Sequence, residues 1–299
     1  RNSGYDNNRD RLQGAFHLDW TPYTWLTFQA AFGYDKLDRF DTEYYPFGYK
    51  SVDNQNSPTG YYGRFHYINE AFNTDLTMRV FKKFGDLSTK NTFRFHNEGS
   101  DYQYTGAWGE NLATNGIKDL GIVDADKNGV NSSQTAVRSV GYYWESTFDY
   151  QEKYMANLML RYDGSSLFGE DERFHLYYRG GLAWRLSEEP WWFSESIEEF
   201  KLRASYGIAG LRPGFSAQYE TFSVSGGSIS KGSLGNKNLK PARSEELEIG
   251  IEMALSDRLM VEAAYSNRNT TDQILNVPLA AFYGYSSQTR NAGALESNT

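Results

Sequence analysis

Cysteine is absent from this chain of 299 residues, and histidine and proline are scarce, at four and seven residues. Without cysteine the chain can form no disulfide, thiol nucleophile or cysteine metal site. It has no run of about 18 apolar residues, which excludes membrane-spanning helices. The net charge of −8 argues against a nucleic-acid partner, because phosphate binding requires clustered Lys and Arg. Motifs such as a P-loop, His-Glu-x-x-His or Gly-x-Ser-x-Gly are also missing, so nothing indicates an enzyme.

Aromatic residues are abundant: 23 Tyr, 19 Phe and 7 Trp make up 16% of the chain. The mean hydropathy is nevertheless low, at −0.67. A transmembrane β-barrel combines both properties. Its strands show lipid only at every second residue, line a polar lumen with the others, and carry aromatic girdles at the membrane interfaces.

Apolar and polar residues alternate over segments of about ten residues, which is the period of a strand with one apolar face. Leu247, Ile249 and Ile251, for example, alternate with Glu248 and Glu252. About eleven such segments occur, and an up-and-down antiparallel order accounts for all of them. We therefore predict an all-β fold, a partial transmembrane up-and-down barrel. Because bacterial barrels close with an even number of strands, we expect the remainder to be missing.

The connections between these segments differ in length in a regular way. Tight links at residues 21–24, 83–88, 151–153 and 256–258 alternate with long ones at 36–60, 108–137, 211–243 and 271–285, while the connections at 164–173 and 187–199 are intermediate. Short turns at one rim and long loops at the other are typical of outer-membrane barrels. Aromatic residues such as Trp20, Trp25, Tyr154 and Trp184 flank the tight links and predict an interfacial girdle. Ordinary packing at strand ends is the alternative.

Several motifs lie in the second half of the chain. Residues 161–169 read Arg-Tyr-Asp-Gly-Ser-Ser-Leu-Phe-Gly, 202–207 Leu-Arg-Ala-Ser-Tyr-Gly, 236–241 Asn-Lys-Asn-Leu-Lys-Pro, 274–279 Ile-Leu-Asn-Val-Pro-Leu, 284–288 Gly-Tyr-Ser-Ser-Gln and 291–293 Asn-Ala-Gly. In order and spacing they resemble the SusC/RagA-like family of TonB-dependent outer-membrane transporters. Departures at Leu167, 211–213 and 241–243 lie in loops and bear on the ligand, not on the barrel.

The resemblance implies a bacterial outer-membrane location, contact with lipid, and uptake of oligosaccharides or peptides driven by TonB. It also implies a complete barrel of about 22 strands with an N-terminal plug. A SusD-like surface lipoprotein would cap the extracellular mouth. Residues 1–299 would then be part of one barrel domain, with the plug and the closing strands lying outside this chain.

Charged residues on the polar face of the alternating segments are predicted to line the lumen. They are Asp75, Arg79, Arg161, Arg179, Lys201, Arg203, Glu246, Glu248 and Glu252. Three carboxylates on one strand could also indicate acid/base chemistry. A wall whose negative charges are balanced by Lys201 and Arg203 on the preceding strand explains them without catalysis.

A possible cation site lies at Asp124-Ala125-Asp126-Lys127-Asn128-Gly129. Asp124, Asp126 and Asn128 match the first half of a Ca²⁺ loop, with oxygen ligands at alternate positions and a glycine for the turn. The twelfth position is Thr135, where the motif requires a bidentate Glu. A polar turn without metal is the alternative, and we otherwise expect no cofactor.

Aromatic side chains also occur where the long loops are predicted. They are Tyr44, Tyr45, Phe47, Tyr49, Tyr102, Tyr104 and Trp108. Exposed rings with polar tips can stack on sugars or peptide groups of a ligand. They can equally pack among themselves or beneath a partner protein.

Two other classes of protein remain open from the sequence. A soluble all-β carbohydrate-binding or hydrolytic domain would bury the apolar faces that we assign to lipid. An outer-membrane barrel could also serve as a scaffold or adhesion subunit without transporting anything. A plug upstream of Arg1 in the intact protein would favour transport.

Overall fold

The computed structural model describes residues 3–50, 57–194, 196–225, 228–255 and 259–299. Sixteen strands lie in these ranges: β1 Gly4–Tyr23, β2 Leu26–Tyr49, β3 Ser57–Phe84, β4 Leu87–Glu110, β5 Asn128–Tyr150, β6 Tyr154–Ser165, β7 Phe174–Arg185, β8 Ile197–Leu211, β9 Phe222–Ser225, β10 Ser228–Lys231, β11 Ser233–Leu234, β12 Ala242–Leu255, β13 Leu259–Thr271, β14 Ile274–Pro278, β15 Ser287–Asn291 and β16 Leu295–Asn298. Short 3₁₀ helices span Leu120–Ile122, Leu186–Glu188, Phe215–Gln218 and Ala281–Tyr283. None of the helices in the described ranges is long and apolar enough to cross a membrane.

Eleven strands form one sheet in the order β1-β2-β3-β4-β5-β6-β7-β8-β12-β13-β16. Neighbours in this sheet are antiparallel, as the prediction of about eleven up-and-down strands requires, and that prediction is confirmed. The strands left out of the main sheet form two small ones. β9 and β10 make a hairpin, and β15 pairs with β14 and, in parallel, with β11.

The chain divides into two compact units. Unit 1 contains Arg1–Phe16, Phe32–Asn73 and Glu98–Val137, and unit 2 contains His17–Ala31, Thr74–Asn97 and Arg138–Thr299. Strands β1 to β5 contribute residues to both units, whereas β6 to β16 belong to unit 2 alone.

The first strands are far longer than a membrane requires. β2 has 24 residues and β3 has 28, whereas about 9–11 residues of a tilted strand cross a bilayer. The predicted long loops at 36–60 and 108–137 are therefore wrong at 36–49, 57–60, 108–110 and 128–137, and the part at 51–56 lies outside the described residues. β2 continues to Tyr49, β3 begins at Ser57, and only residues 111–127 separate β4 from β5.

The side chains of β2 change in character along the strand. One face carries Leu26, Phe28, Ala30, Phe32 and Tyr34. Beyond Tyr34 the same face becomes charged: the Lys36 Nζ lies 2.6 Å from Glu70 Oε1, and Asp38 Oδ1 lies 2.7 Å from His66 Nε2. An apolar stretch of about ten residues followed by charge is what a strand leaving hydrocarbon requires.

The predicted tight links at 21–24, 83–88 and 151–153 are confirmed as short turns between consecutive strands. The link at 256–258 lies outside the described residues. The long connections at 211–243 and 271–285 are also confirmed, and they carry the small strands β9–β11 and β14. Tyr23, Trp25 and Tyr154 at the short turns are exposed, Trp184 near them is half-buried, and the rings stack in pairs. Tyr23 lies 5.4 Å from Trp25 and Tyr154 lies 6.0 Å from Trp184, between ring centroids.

Three of the sequence motifs of unit 2, at 161–169, 236–241 and 291–293, meet in one packed junction. Phe168 and Leu239 are almost fully buried, at 2% and 0% exposure. The Gly169 amide donates to the Leu239 carbonyl at 2.9 Å, and a Cβ on Gly169 would overlap the Lys237 carbonyl oxygen. Asn291 closes the junction, since its side chain bonds both the amide and the carbonyl of Lys240 at 2.8 Å.

Candidate functional site

Strands β8, β12 and β13 hold one continuous set of ion pairs in unit 2. The register places Glu252 opposite both Lys201 and Glu262, and Gly250 opposite Arg203, so these residues share one face of the sheet. Lys201 pairs with Glu252, and Arg203 pairs with Glu248, Glu252 at 3.2 Å and Glu262 at 2.9 Å. We call this set, with Glu246 and Arg268, the charged face.

Glu246 differs from its neighbours in its partner. It accepts a hydrogen bond from Ser266 at 2.6 Å and pairs with Arg268 at 2.8 Å, not with Arg203 or Lys201. Each carboxylate of the charged face therefore has a cationic partner. This arrangement is that of a neutralised wall, which is the non-catalytic alternative for these three glutamates.

The other predicted wall residues of unit 2 also have polar partners. Arg179 lies 3.4 Å from Glu145, Arg161 pairs with Asp163, and Arg79 donates to Gln29. Asp75 lies 3.7 Å from Arg94 and 3.0 Å from His96. A luminal position for this face remains a prediction.

On β6, β7, β8 and β12 the side of the sheet opposite the charged face carries apolar, exposed side chains. Leu158 of β6 stands opposite Ser146 of β5 and Gly180 of β7. Leu182, Ile249 and Tyr206 share this face by register and are 67%, 52% and 38% exposed. A soluble domain would bury such side chains, so the soluble alternative does not account for this face.

In unit 1 the predicted loop aromatics lie on strands and stack on one another. Tyr49 and Tyr45 have ring centroids 4.7 Å apart, Tyr45 and Tyr61 5.5 Å, and Tyr61 and Trp108 6.2 Å. Beside them, Tyr67 and Tyr104 are 4.8 Å apart. We call these six rings the aromatic row. They are half-buried, so each keeps part of its surface open to a ligand.

Three predicted ligand residues do not join the row. Tyr44 is only 5% exposed and packs with Tyr62 and Leu112, while its hydroxyl donates to Asn115 Oδ1 at 2.8 Å. Phe47 lies on the same side, near Gly60 and Leu112. Tyr102 lies on β4 with Tyr104, but no ring contact joins it to the row within the described residues. For Tyr44 the alternative of internal packing therefore holds.

Charged residues accompany the aromatic row on β2. Arg39 lies over the Tyr67 ring, 3.9 Å from its centroid, and its Nε lies 3.3 Å from Asp41 Oδ2. Burial raises the pKa of Glu43, and the charge of Asp41 raises it further. Burial also raises the pKa of Tyr61, with Glu43 as the next contributor. The row therefore surrounds a carboxylate that is costly to keep charged.

The predicted Ca²⁺ half-loop forms a hydrogen-bonded turn before β5. Asp124 Oδ1 accepts from the Asp126 amide at 3.0 Å, and Oδ2 accepts from Asn111 Nδ2 at 3.1 Å, which holds the pKa of Asp124 below its ordinary value. Asn128 donates its amide to the Ala125 carbonyl at 2.9 Å. No group of three or more acidic or histidine side chains suited to a metal comes together in the part of the chain that is described. These hydrogen bonds are those of a polar turn, and Ca²⁺ binding at Asp124, Asp126 and Asn128 remains a prediction.

The sequence analysis did not identify the charged residues beside the aromatic row, nor two of its six rings, Tyr61 and Tyr67. Arg39, Asp41 and Glu43 occupy every second position of β2, and Tyr61, Phe65 and Tyr67 likewise share one face of β3. This period of two, extended past the apolar stretch, was the signal that could have identified them as strand residues on one face.

Comparison with known proteins gives the family. The family model described as "TonB dependent receptor-like, beta-barrel" matches residues 1–298. The chain belongs to this family. TonB-dependent receptor P26 of Formosa agariphila is 25% identical over 96% of this chain and 30% of its own length. TonB-dependent receptor SusC of Bacteroides thetaiotaomicron is 25% identical over 52% of this chain and 17% of its own.

A solved structure of the RagAB peptide transporter superimposes with a TM-score of 0.88 at 16% identity. The match covers 99% of this chain and 34% of that one. The chain thus spans about a third or less of the relatives and solved structure named here. As a TonB-dependent receptor β-barrel it resides in the bacterial outer membrane, and its eleven-stranded sheet is a portion of that barrel. The resemblance to SusC/RagA-like transporters is confirmed.

Proposed function

We propose that this chain forms part of the wall and extracellular mouth of a TonB-dependent importer of oligosaccharides or peptides. The charged face lines the water-filled interior, and the apolar face opposite holds the strands in lipid. The aromatic row contacts the cargo as it enters. In this proposal the chain performs no covalent chemistry.

The aromatic row is the observation that carries the role in cargo binding. Four rings with neighbouring centroids 4.7 to 6.2 Å apart form a continuous aromatic surface on β2, β3 and β4. Sugar rings and peptide groups bind such surfaces, because an apolar face meets the ring while polar edges stay hydrated. RagAB, to which the fold is similar, is a peptide transporter by name.

Uptake by cells tests the proposal. Strains carrying the intact protein, a deletion of it, or a deletion of TonB receive a labelled pool of oligosaccharides and a labelled pool of peptides. We expect uptake of one pool, lost equally in both deletions. A protein that assembles in the outer membrane and imports neither pool would instead support the scaffold alternative.

A double variant, Tyr61→Ala with Trp108→Ala, tests the role of the row within the importer. We expect uptake to fall while the amount of assembled barrel is unchanged. Phe32→Ala is the matched control, since Phe32 is an aromatic of β2 that belongs to the apolar face and is 44% exposed. Equal loss in both would contradict a ligand role for the row.

A SusD-like lipoprotein is the partner that we propose for the long connections of unit 2. Phe282, Val224 and Ile229 in these connections are 81%, 72% and 71% exposed, which is unusual for apolar side chains without a partner. Phe282→Asp in the intact protein should reduce copurification of the lipoprotein. Phe193→Asp, at an 84% exposed residue between β7 and β8, should leave it unchanged.

A further inference from the structure

The aromatic row already holds one cationic group of the chain itself. The guanidinium of Arg39 is placed between the face of Tyr67 and the carboxylate of Asp41, which is only 4% exposed. The face of an aromatic ring attracts a cation through its quadrupole, and a carboxylate adds the opposite charge. Ring and carboxylate together therefore bind a guanidinium at this point of unit 1.

Two residues further along β2, the carboxylate of Glu43 also lies beside aromatic rings. Alternate residues of a strand share a face, so Glu43 lies on the side of Asp41. Tyr45 follows two residues later on the same face of β2, and its ring centroid lies 5.5 Å from that of Tyr61, so the carboxylate of Glu43 lies beside rings of the row. Across the described ranges no Lys or Arg forms an ion pair with Glu43. Among the residues that the structure describes, these rings and this carboxylate are thus present without a cation of the chain itself.

We propose that Glu43, Tyr61 and Trp108 bind a lysine or arginine side chain of a peptide during import. The inference rests on the proposed function and narrows its cargo to positively charged peptides. A long aliphatic stem packs on Tyr61 and Trp108, whose centroids are 6.2 Å apart, while its charged end reaches Glu43. Arginine suits the site best, because guanidinium is planar, stacks on rings and is weakly hydrated. An amino sugar fits less well, since its ammonium sits among hydroxyl groups on a short, hydrated ring.

Binding to the purified intact protein tests this inference without requiring transport. The probes are the tripeptide Ala-Arg-Ala, blocked at both ends, and its twin with citrulline, the neutral isostere, in place of arginine. We expect the arginine peptide to bind about tenfold more tightly, as one charge-assisted contact with a ring allows. In Glu43→Gln this preference should disappear while binding of the citrulline peptide is unchanged.

Glu70→Gln is the matched control. Glu70 lies on β3 on the face opposite Tyr61 and Tyr67 and pairs with Lys36, so its loss should leave the tenfold preference intact. Equal affinity of the wild-type protein for the two peptides would overturn the proposal, and this comparison needs no variant to fold. A preference that survives Glu43→Gln would overturn it as well.

Binding of an amino sugar is tested with a chitosan oligomer and with its fully acetylated, uncharged form. Glu43-dependent binding of chitosan, with no preference between the two peptides, would overturn the peptide assignment. Failure of the proposed function has a different signature. It would appear as the absence of TonB-dependent uptake of every peptide and oligosaccharide, whichever tripeptide the purified protein binds.

Discussion

The charged face of unit 2 and the aromatic row of unit 1 differ in whether their carboxylates have cationic partners. On the charged face Glu246, Glu248, Glu252 and Glu262 each pair with a lysine or arginine. In the row Glu43 is partly buried among rings and has no such partner within the described residues. Carboxylates with a purely structural role in the barrel wall are expected to have cationic partners within the same wall. A carboxylate whose charged form is disfavoured by burial, and that has no lysine or arginine beside it in the described residues, indicates a binding site.

The charged face can line the interior of a barrel only if the side opposite it lies in hydrocarbon. Leu158→Arg places a charge on that side of β6 and should lower the free energy of unfolding of the barrel by about 2–4 kcal/mol. Asn157→Arg, one residue away on the charged side, should have a mild effect. Denaturant unfolding in detergent or liposomes measures both, and equal losses would contradict the assignment of the faces.

The junction of the motifs should be nearly as sensitive as the apolar face. Gly169→Ala forces a Cβ into the Lys237 carbonyl and the Leu239 amide, so backbone must shift, and we expect a loss of about 1–3 kcal/mol. Gly214→Ala is the control, since a Cβ there meets no atom within 4 Å. The same unfolding measurement tests the pair, and a Gly169→Ala protein as stable as the control would show that the junction is not tightly packed.

Removing the central cation of the charged face should give a smaller loss. Arg203→Met leaves Glu248 and Glu262 without their partner and Glu252 with Lys201 alone. Because these groups remain in contact with water, we expect about 1 kcal/mol, reduced further at high salt. A salt titration of unfolding checks this. An effect that does not depend on salt would mean that packing, not charge, explains Arg203.

Replacing Glu43, the carboxylate beside the row, should raise the stability instead of lowering it. The pKa of Glu43 is raised in the folded protein, so the stability linked to its protonation is present below the unfolded pKa and lost as pH rises through the folded pKa. Glu43→Gln should therefore be slightly more stable than wild type at neutral pH and equal to it below about pH 4. Thermal unfolding at both pH values measures this, and a variant that is less stable at neutral pH would contradict the account.

The strands near the short turns could be predicted because lipid contact imposes a period of two. Leu26, Phe28, Ala30 and Phe32 show this period clearly. Beyond Tyr34 both faces of β2 carry polar and aromatic residues, so the signal is lost. For this reason the upper part of β2 resembled a loop in the sequence, with Pro46 and Gly48 adding to the effect.

Pairings over long distances in the chain could not be predicted from alternation. Tyr44 is buried by Leu112 and anchored by Asn115, which lie about 70 residues later. Gly169 meets Lys237 and Leu239 for the same kind of reason. The charged face was predictable in composition, because its residues alternate with apolar ones. Its exact pairs, such as Glu246 with Arg268, depended on a strand register that the sequence does not specify.

Chemical labelling tests the two-faced strand most directly. This stretch of the protein contains no cysteine, so single cysteines can be placed along β6 in the intact protein within its membrane. A water-soluble thiol reagent should label Asn157→Cys and Met159→Cys, and should leave Ala156→Cys and Leu158→Cys unlabelled until detergent is added. Equal labelling at all four positions would contradict the account.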